Sequence, residues 1–393
     1  MISYRGFASG DEPFHDALMR QAFGTGATRN AELRSRTGEA AIRIAELEGE
    51  PAGALTRLRC GQFFGGGALS TAFVAGVAVA PRWRGRGVGG GMLAALLREL
   101  FDEGVALCTL YASNMPLYRK VGFEVTGSRC LYDVQLAALG GERPDRADLV
   151  HIPLEDLDPA KPLPAALRPM EESYGRTARA GAGLLDRTTF FWREKLAPPS
   201  RDVDLFLLGE QGYVAIRHTK SEPLQVMDWC VDGPGGQALL LWFLGGQRAN
   251  WTSARLYGSP FEPLSLAVRD GDWTVSSVTP WLTRIVNVGQ ALATRFYPAH
   301  LSGVLSLAVE DRLLAANESG FRLVLEGGKA TVERCAAEAC QLRLGIGALA
   351  PLYSGYATPQ QLRRAGRLLG DGEALAWAAA VFAGAPPYLM DTF

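Results

Sequence analysis

The segment FVAGVAVAPRWRGRGVGGGM, residues 73–92, constrains the fold of this chain more than any other. Its first eight residues are almost all apolar and rich in valine, the mark of a strand covered on both faces. Pro81 stops that strand, since proline has no N–H for a ladder. From Val88 onward, Val88, Met92, Leu93, Leu96, Leu97, Leu100 and Phe101 recur at helical spacing, with Arg98, Glu99, Asp102 and Glu103 off the stripe. A buried strand, a short loop and an amphipathic helix follow one another directly. That order belongs to a mixed α/β architecture.

The loop itself carries arginine at 82, 84 and 86 and glycine at 85, 87, 89, 90 and 91. As a flexible linker it fails on position, because it lies between two buried elements. Gly85, Gly87 and Gly90 match GxGxxG, but a dinucleotide site also needs an acid after the next strand, where TLYASNM has none. No Lys-Ser/Thr follows the glycines, so a Walker A loop fails too. Arg84, Gly87 and Gly89 instead satisfy Arg-x-x-Gly-x-Gly. That pattern predicts backbone amides at a helix start, turned toward a pyrophosphate and helped by the helix dipole. Glycines serve there because backbone unshielded by Cβ can approach the phosphates.

The rest of the chain sets bounds. Its 393 residues suit two or three domains, and 48% apolar with 21% charged residues excludes a disordered chain. A net charge of −1 supplies no global field for nucleic acid or anionic membrane. The four histidines stand apart, so no metal site is expected. No cysteines form CxxC; the closest pair, Cys335 and Cys340 in ERCAAEAC, reads with the others as reduced thiols of a cytoplasmic protein. MISYRGFASGDEP does not read as a signal peptide, and ALAWAAAVFAGA (374–385) is too short to span a bilayer. The expectation is a soluble, cytoplasmic protein.

Around the central segment, ISYRGFA and ALCTLYA (106–112) read as strands and EPFHDALMRQAF as a helix. AAIRIAELEGEPAGALTRLRC reads as a hairpin about Gly49-Glu50-Pro51, and FGTGATRNAEL (23–33) as a loop. A short helix over PLYRKVGF and a strand through RCLYDVQL close this unit. The polar joint GGERPDRADL (140–149) opens a second α/β region in which no glycine–arginine loop recurs. A third region begins near residue 280, with alternating strands in LSGVLSLAVED, FRLVLEGGKATVERC and QLRLGIG.

FVAGVAVAPRWRGRGVGGGM resembles the acetyl-CoA-binding motif of the GCN5-related N-acetyltransferase (GNAT) superfamily. LYASNMPLYRKVGFE, GRTARAGAGLLDRTTFFW (175–192), PWLTRIVNVGQALATRFYP (280–298) and the ending PPYLMDTF narrow the resemblance to Eis-like (enhanced intracellular survival) aminoglycoside N-acetyltransferases. The resemblance implies a GNAT domain over 1–138, a degenerate GNAT-like domain over 139–279 and a sterol-carrier-protein-like domain over 280–393. It implies acetyl-CoA as co-substrate, an amine acceptor and a hexamer. Carried over, the backbone of Val77 and Val79 would meet the pantetheine arm. Arg84, Gly85, Arg86, Gly87, Val88 and Gly89 would hold the pyrophosphate, with Ser113 also at the cofactor.

Acetyl transfer to an amine needs an oxyanion donor, an acid for the departing thiolate and a base for the amine. Tyr118 is the expected acid, since an ordinary phenol keeps its proton to a pH of about 10. The resemblance implies the α-carboxylate of Phe393 as base or cation anchor. Glu32 and Asp391 are the candidate acids for a cationic acceptor, whereas Asp11, Glu12 and Asp16 read as solvent-facing. Asn114 precedes Tyr118 too closely for the cofactor contact usual in this superfamily. Two other functions stay open: a GNAT acting on a protein lysine, peptide or polyamine, and a non-enzymatic lipid-binding or scaffolding protein.

Overall fold

The computed structural model describes residues 2–140, 148–154, 161–198, 202–218 and 223–392. The chain divides into two compact units. One is the chain up to Gly127 with Pro280–Gly384; the other is Ser128–Thr279 with the chain from Ala385 onward.

The first unit opens with β1 (Ile2–Gly6), α1 (Glu12–Phe23), α2 (Ala27–Thr37), β2 (Ile42–Leu47), β3 (Glu50–Phe64) and β4 (Gly67–Val79). Then come α3 (Val88–Asp102), β5 (Leu107–Leu110), α4 (Met115–Arg119) and β6 (Glu124–Gln135), whose later residues lie in the second unit. β1 to β4 pair antiparallel in order. β5 joins β4 in parallel, and residues 282–285 of the strand Trp273–Ile285 return antiparallel to β5. A parallel pair needs a crossover, and α3 supplies it. The stripe predicted from sequence is the one α3 buries: Val88, Met92, Leu93, Leu96, Leu97 and Leu100 are at most 1% exposed. They pack with Ile42, Ile44, Leu55 and Leu110 in one core.

One expectation from sequence is corrected here. Residues 23–33 are not a loop, because α2 begins at Ala27. Its helix has almost no apolar face, with only Asn30 buried, so hydrophobic periodicity could not reveal it. The Glu32–Arg36 pair at one-turn spacing, 2.9 Å apart, supports it instead.

Within the first unit, the terminal third of the chain forms a five-stranded sheet in the order Lys329–Cys335, Ser319–Glu326, Gly303–Glu310, Leu342–Gly345, Leu368–Leu369. Helices Val288–Thr294, Pro359–Arg364 and Gly372–Val381 start on side-chain caps from Asn287, Thr358 and Asp371. Buried Arg284 joins this third to the preceding part of the unit. Arg284 lies 2.6 Å from Asp311, and its Nε donates to Val121 O at 2.9 Å.

In the second unit the strand order runs from β6 through Ser253–Gly258, Leu224–Val231, Gly212–Arg217 and Asp204–Leu208 to Leu149–Ile152. Helix Gly233–Gly246 follows Leu224–Val231 with one residue between them. At the heart of this unit Arg187, wholly buried, lies 2.6 Å from Asp228 and 2.9 Å from Asp391. Tyr213 Oη donates to the same Asp228 carboxylate at 2.6 Å. The guanidinium also stacks on Tyr174 and Trp192, 4.1 and 4.6 Å from their ring centres. The end of the chain is thereby bound into this unit: Tyr388 N–H donates to Ala182 O, and Lys195 Nζ to Met390 O.

Candidate functional site

β4 and β5 share a ladder only over Thr71–Phe73 and Leu107–Thr109. Beyond Phe73 the two strands part, while β4 continues to Val79 along β3. A bulge sharpens the divergence. Ala54 faces Ala78 and Thr56 faces Ala75, so Gly76 and Val77 together oppose Leu55 alone. Gly76 takes φ +60°, the left-handed region that glycine enters without a Cβ clash. Val77 and Val79 are half-buried at the edge of this opening.

The loop after β4 leaves through a 3-10 turn, Pro81–Trp83, with Trp83 buried as its anchor. Gly85 and Gly87 sit at φ +77° and +82°, and Gly87 is the N-cap of α3. A Cβ built at Gly85, Gly87 or Gly90 would meet nothing within 4 Å. Those glycines therefore leave room above the backbone. No side chain caps α3, and Gly91 N–H is the first to reach a helical carbonyl, Gly87 O at 2.9 Å. The amides of Val88, Gly89 and Gly90 thus have no acceptor inside the helix. Unclaimed amides, open space and the positive end of a four-turn helix make a seat for an anion.

The three arginines frame that seat without being locked. Arg82 and Arg86 flank Trp83, 5.0 and 4.9 Å from its ring centre. They pair with Glu50 and Glu48 at the tip of the β2–β3 hairpin. These pairs are exposed, so they contribute little and can be exchanged for phosphate. Arg84 Nε donates to Val79 O at 3.2 Å, fixing the exit of β4.

Tyr118 stands on α4, which packs against the first turn of α3: a Cβ at Gly89 would lie 3.4 Å from Leu117. The ring is 5% exposed and meets Phe123 edge-on at 5.8 Å. Among the described residues its hydroxyl has no hydrogen-bond partner. Burial, with the Cys108 thiol nearby on β5, pushes its pKa up to about 12. Ser113 is exposed in the turn before α4, and Asn114 caps α4 without a side-chain bond. Glu124, buried just after α4, accepts from Arg119 at 2.8 Å and from Arg367 of the terminal third at 2.6 Å. Those two cations hold its carboxyl below the usual carboxylate range despite burial.

The acidic candidates fall differently. Glu32 is half-buried and already matched by Arg36. Asp391 is 1% exposed and held by Arg187 in the second unit. Asp11 does not face solvent: it is 7% exposed, clamped by Arg5 at 2.6 Å and by Ala8 N–H. Arg5 is what lowers its pKa. Asp16 pairs with Arg34. Phe393 lies outside the described residues. Among the described residues no group of three potential metal ligands occurs, and no helix is long and apolar enough to cross a membrane.

Comparison with known proteins bears on the domains and the fold. Residues 4–126 match the Acetyltransferase (GNAT) domain, and residues 288–390 match the sterol carrier protein domain. An uncharacterized N-acetyltransferase of Streptomyces griseus is 26% identical over 367 residues, covering 84% of this chain and 83% of that protein. A GCN5-related N-acetyltransferase from Anabaena variabilis superposes with a TM-score of 0.91 at 26% identity, over 100% of both chains. Eis1 from Mycobacterium abscessus shares the fold at a TM-score of 0.79 and 21% identity, again over 100% of both chains.

Proposed function

Starting from an acetyltransferase whose GNAT domain is joined to a sterol carrier protein domain, we propose that this chain moves the acetyl group of acetyl-CoA to a primary amine of a multi-amine acceptor. Aminoglycosides are the acceptor class to test first, by the resemblance of the sequence. The observation that carries the reading is the open seat at the start of α3, where Gly85, Gly87 and Gly90 leave space above unclaimed amides.

The amides of Val88, Gly89 and Gly90, with those of Gly85 through Gly87, are assigned to the pyrophosphate; Arg84, whose N–H already donates to Pro81 O at 3.3 Å, is assigned to it by its charge. Arg82 and Arg86 exchange their hairpin glutamates for phosphate charge. The half-buried backbone of Val77 and Val79 lies where β4 leaves β5, suited to an extended pantetheine arm. One of those two N–H groups is assigned to the oxyanion. Acetyl-CoA, when bound, supplies an acyl group already activated as a thioester. Tyr118 holds a proton on Oη to a pH of about 12 and gives it up only to a strong base formed beside it, such as a thiolate in a dry site. The α-carboxylate of Phe393 is assigned to the amine, as base or as anchor. Ser113 stays a candidate cofactor contact, and Glu32 an acceptor contact that must first release Arg36.

Thiol release from acetyl-CoA tests the reading, with aminoglycosides, polyamines and a lysine peptide as acceptors. It is run on the wild type, Tyr118→Phe and a chain extended by one glycine. Turnover with multi-amine acceptors, lost in both variants, is the expected result. Turnover only with the peptide moves the acceptor to protein lysine. Acetyl-CoA binding without turnover on any acceptor removes the enzymatic assignment of the seat.

A further inference from the structure

Most of the six cysteines are placed as core residues: Cys108, Cys130 and Cys230 are buried, and Cys60 is half-buried against Thr71 O. Cys335 and Cys340 differ. Cys335 ends the strand Lys329–Cys335, and the short turn Ala337–Ala339 then brings Cys340 back beside it. Backbone bonds from Ala339 N–H to Ala336 O and from Cys340 N–H to Ala337 O close that turn. The two sulfurs stand 3.6 Å apart, and both residues are half-exposed.

The neighbouring strand makes room for them. Gly320 pairs with Cys335 across the ladder, and a Cβ there would lie 2.9 Å from each sulfur. Both thiols therefore rest over one glycine. Ala336, Ala337 and Ala339 are small, and Ala336 and Ala339 are exposed. A closed soft-metal site needs about four ligands, and no third histidine, cysteine or carboxylate completes one among the described residues.

We propose that Cys335 and Cys340 are a thiol-modification site, a dithiol that a small disulfide of the glutathione type converts reversibly to an intramolecular disulfide. The Cys335 sulfur, its proton lost to water, attacks one sulfur of the reagent. The reagent S–S bond breaks, and one thiolate leaves and is protonated by water. Cys340 then loses its proton and attacks the Cys335 sulfur, expelling the second small thiol. Two protein thiols are oxidised, and one reagent disulfide is reduced to two thiols. Closing from 3.6 Å to the roughly 2.05 Å of a disulfide asks for side-chain rotation rather than a new backbone path. Either thiol can attack first, and the same products form in either order.

Both cysteines fall in one tryptic peptide, CAAEACQLR (335–343). The full native chain is incubated with oxidised glutathione, and remaining thiols are alkylated after denaturation and mapped. The expected result is that peptide two hydrogens lighter and unalkylated, with reduced glutathione restoring both thiols. Cys340→Ser and Cys335→Ser should each stop at a glutathione adduct on the remaining thiol. Three results would overturn the proposal: both thiols still alkylated after oxidation, glutathione accumulating on both in the wild type, or a disulfide joining two chains.

Discussion

Two strand-to-helix junctions in this chain look alike in sequence and do opposite things. In the first unit, β4 leads through Ala80–Gly87 into α3. In the second, the strand Leu224–Val231 leads through Asp232 alone into helix Gly233–Gly246. Both helices begin with several glycines. At the first junction Gly85, Gly87 and Gly90 face open space. At the second, a Cβ on Gly235 would lie 2.5 Å from Gln211 Oε1, and one on Gly236 2.8 Å from Gln211 O. The first set of glycines keeps a place free, and the second lets two segments touch. Charge follows the same division. Arginines ring the first helix start, whereas the second carries Asp232, its carboxylate 2.7 Å from Arg176. An acid already suits that dipole, so the second junction has nothing to offer an anion. Glycine content alone does not make a phosphate seat; what lies above the glycines decides.

Four variants sharpen the contrast between the two units. The largest effect falls in the second unit. Arg187→Ala leaves Asp228 and Asp391 buried without their cation and should cost about 3–5 kcal/mol of stability, measured by chemical denaturation. Tyr118→Phe, in the first unit, should lower the rate by about 100-fold or more while leaving the melting temperature and coenzyme affinity near wild type. Equal loss of activity and stability would make Tyr118 a core residue only.

Glu262 gives the second unit a pH signature. Burial raises its pKa from 4.5 to about 7. Between those values the folded chain keeps a proton that the unfolded chain has lost, so stability should fall as pH rises from about 4.5 to 7, by at most about 3 kcal/mol. Glu262→Gln should flatten that slope, read from melting curves across the window. A smaller effect is expected of Arg86→Ala, which trades away one exposed cation at the seat. Coenzyme KM should rise a few-fold, less so at high salt.

Much of the first junction was legible because its signals are local. An all-apolar run, a proline, a cluster of glycines and a helical stripe lie within thirty residues, and β4, the loop and α3 follow them. The bulge at Gly76 was not legible, since a register shift depends on the partner strand β3. Nor was the burial of Asp11, which is made by Arg5 on β1. The Arg187–Asp391 pair spans 204 positions, and no spacing rule reaches that far. Sequence alone offered Asp391 as a candidate acid for the acceptor and gave no sign of this partner. The thiols of Cys335 and Cys340 are close in sequence, yet only the turn between them and the bare Gly320 opposite bring their sulfurs together.

The central claim is that the seat at the start of α3 holds the coenzyme's phosphates. Calorimetric titration of coenzyme A into the wild type, Gly87→Ala and Gly236→Ala tests it most directly. Gly87→Ala puts a Cβ at φ +82°, a strain of about 1–2 kcal/mol that also crowds the seat. It should weaken binding about ten-fold or more. Gly236→Ala should lower the melting temperature and leave affinity unchanged. Undiminished affinity in Gly87→Ala, or a loss equal to it in Gly236→Ala, would contradict the assignment of the phosphates to this loop.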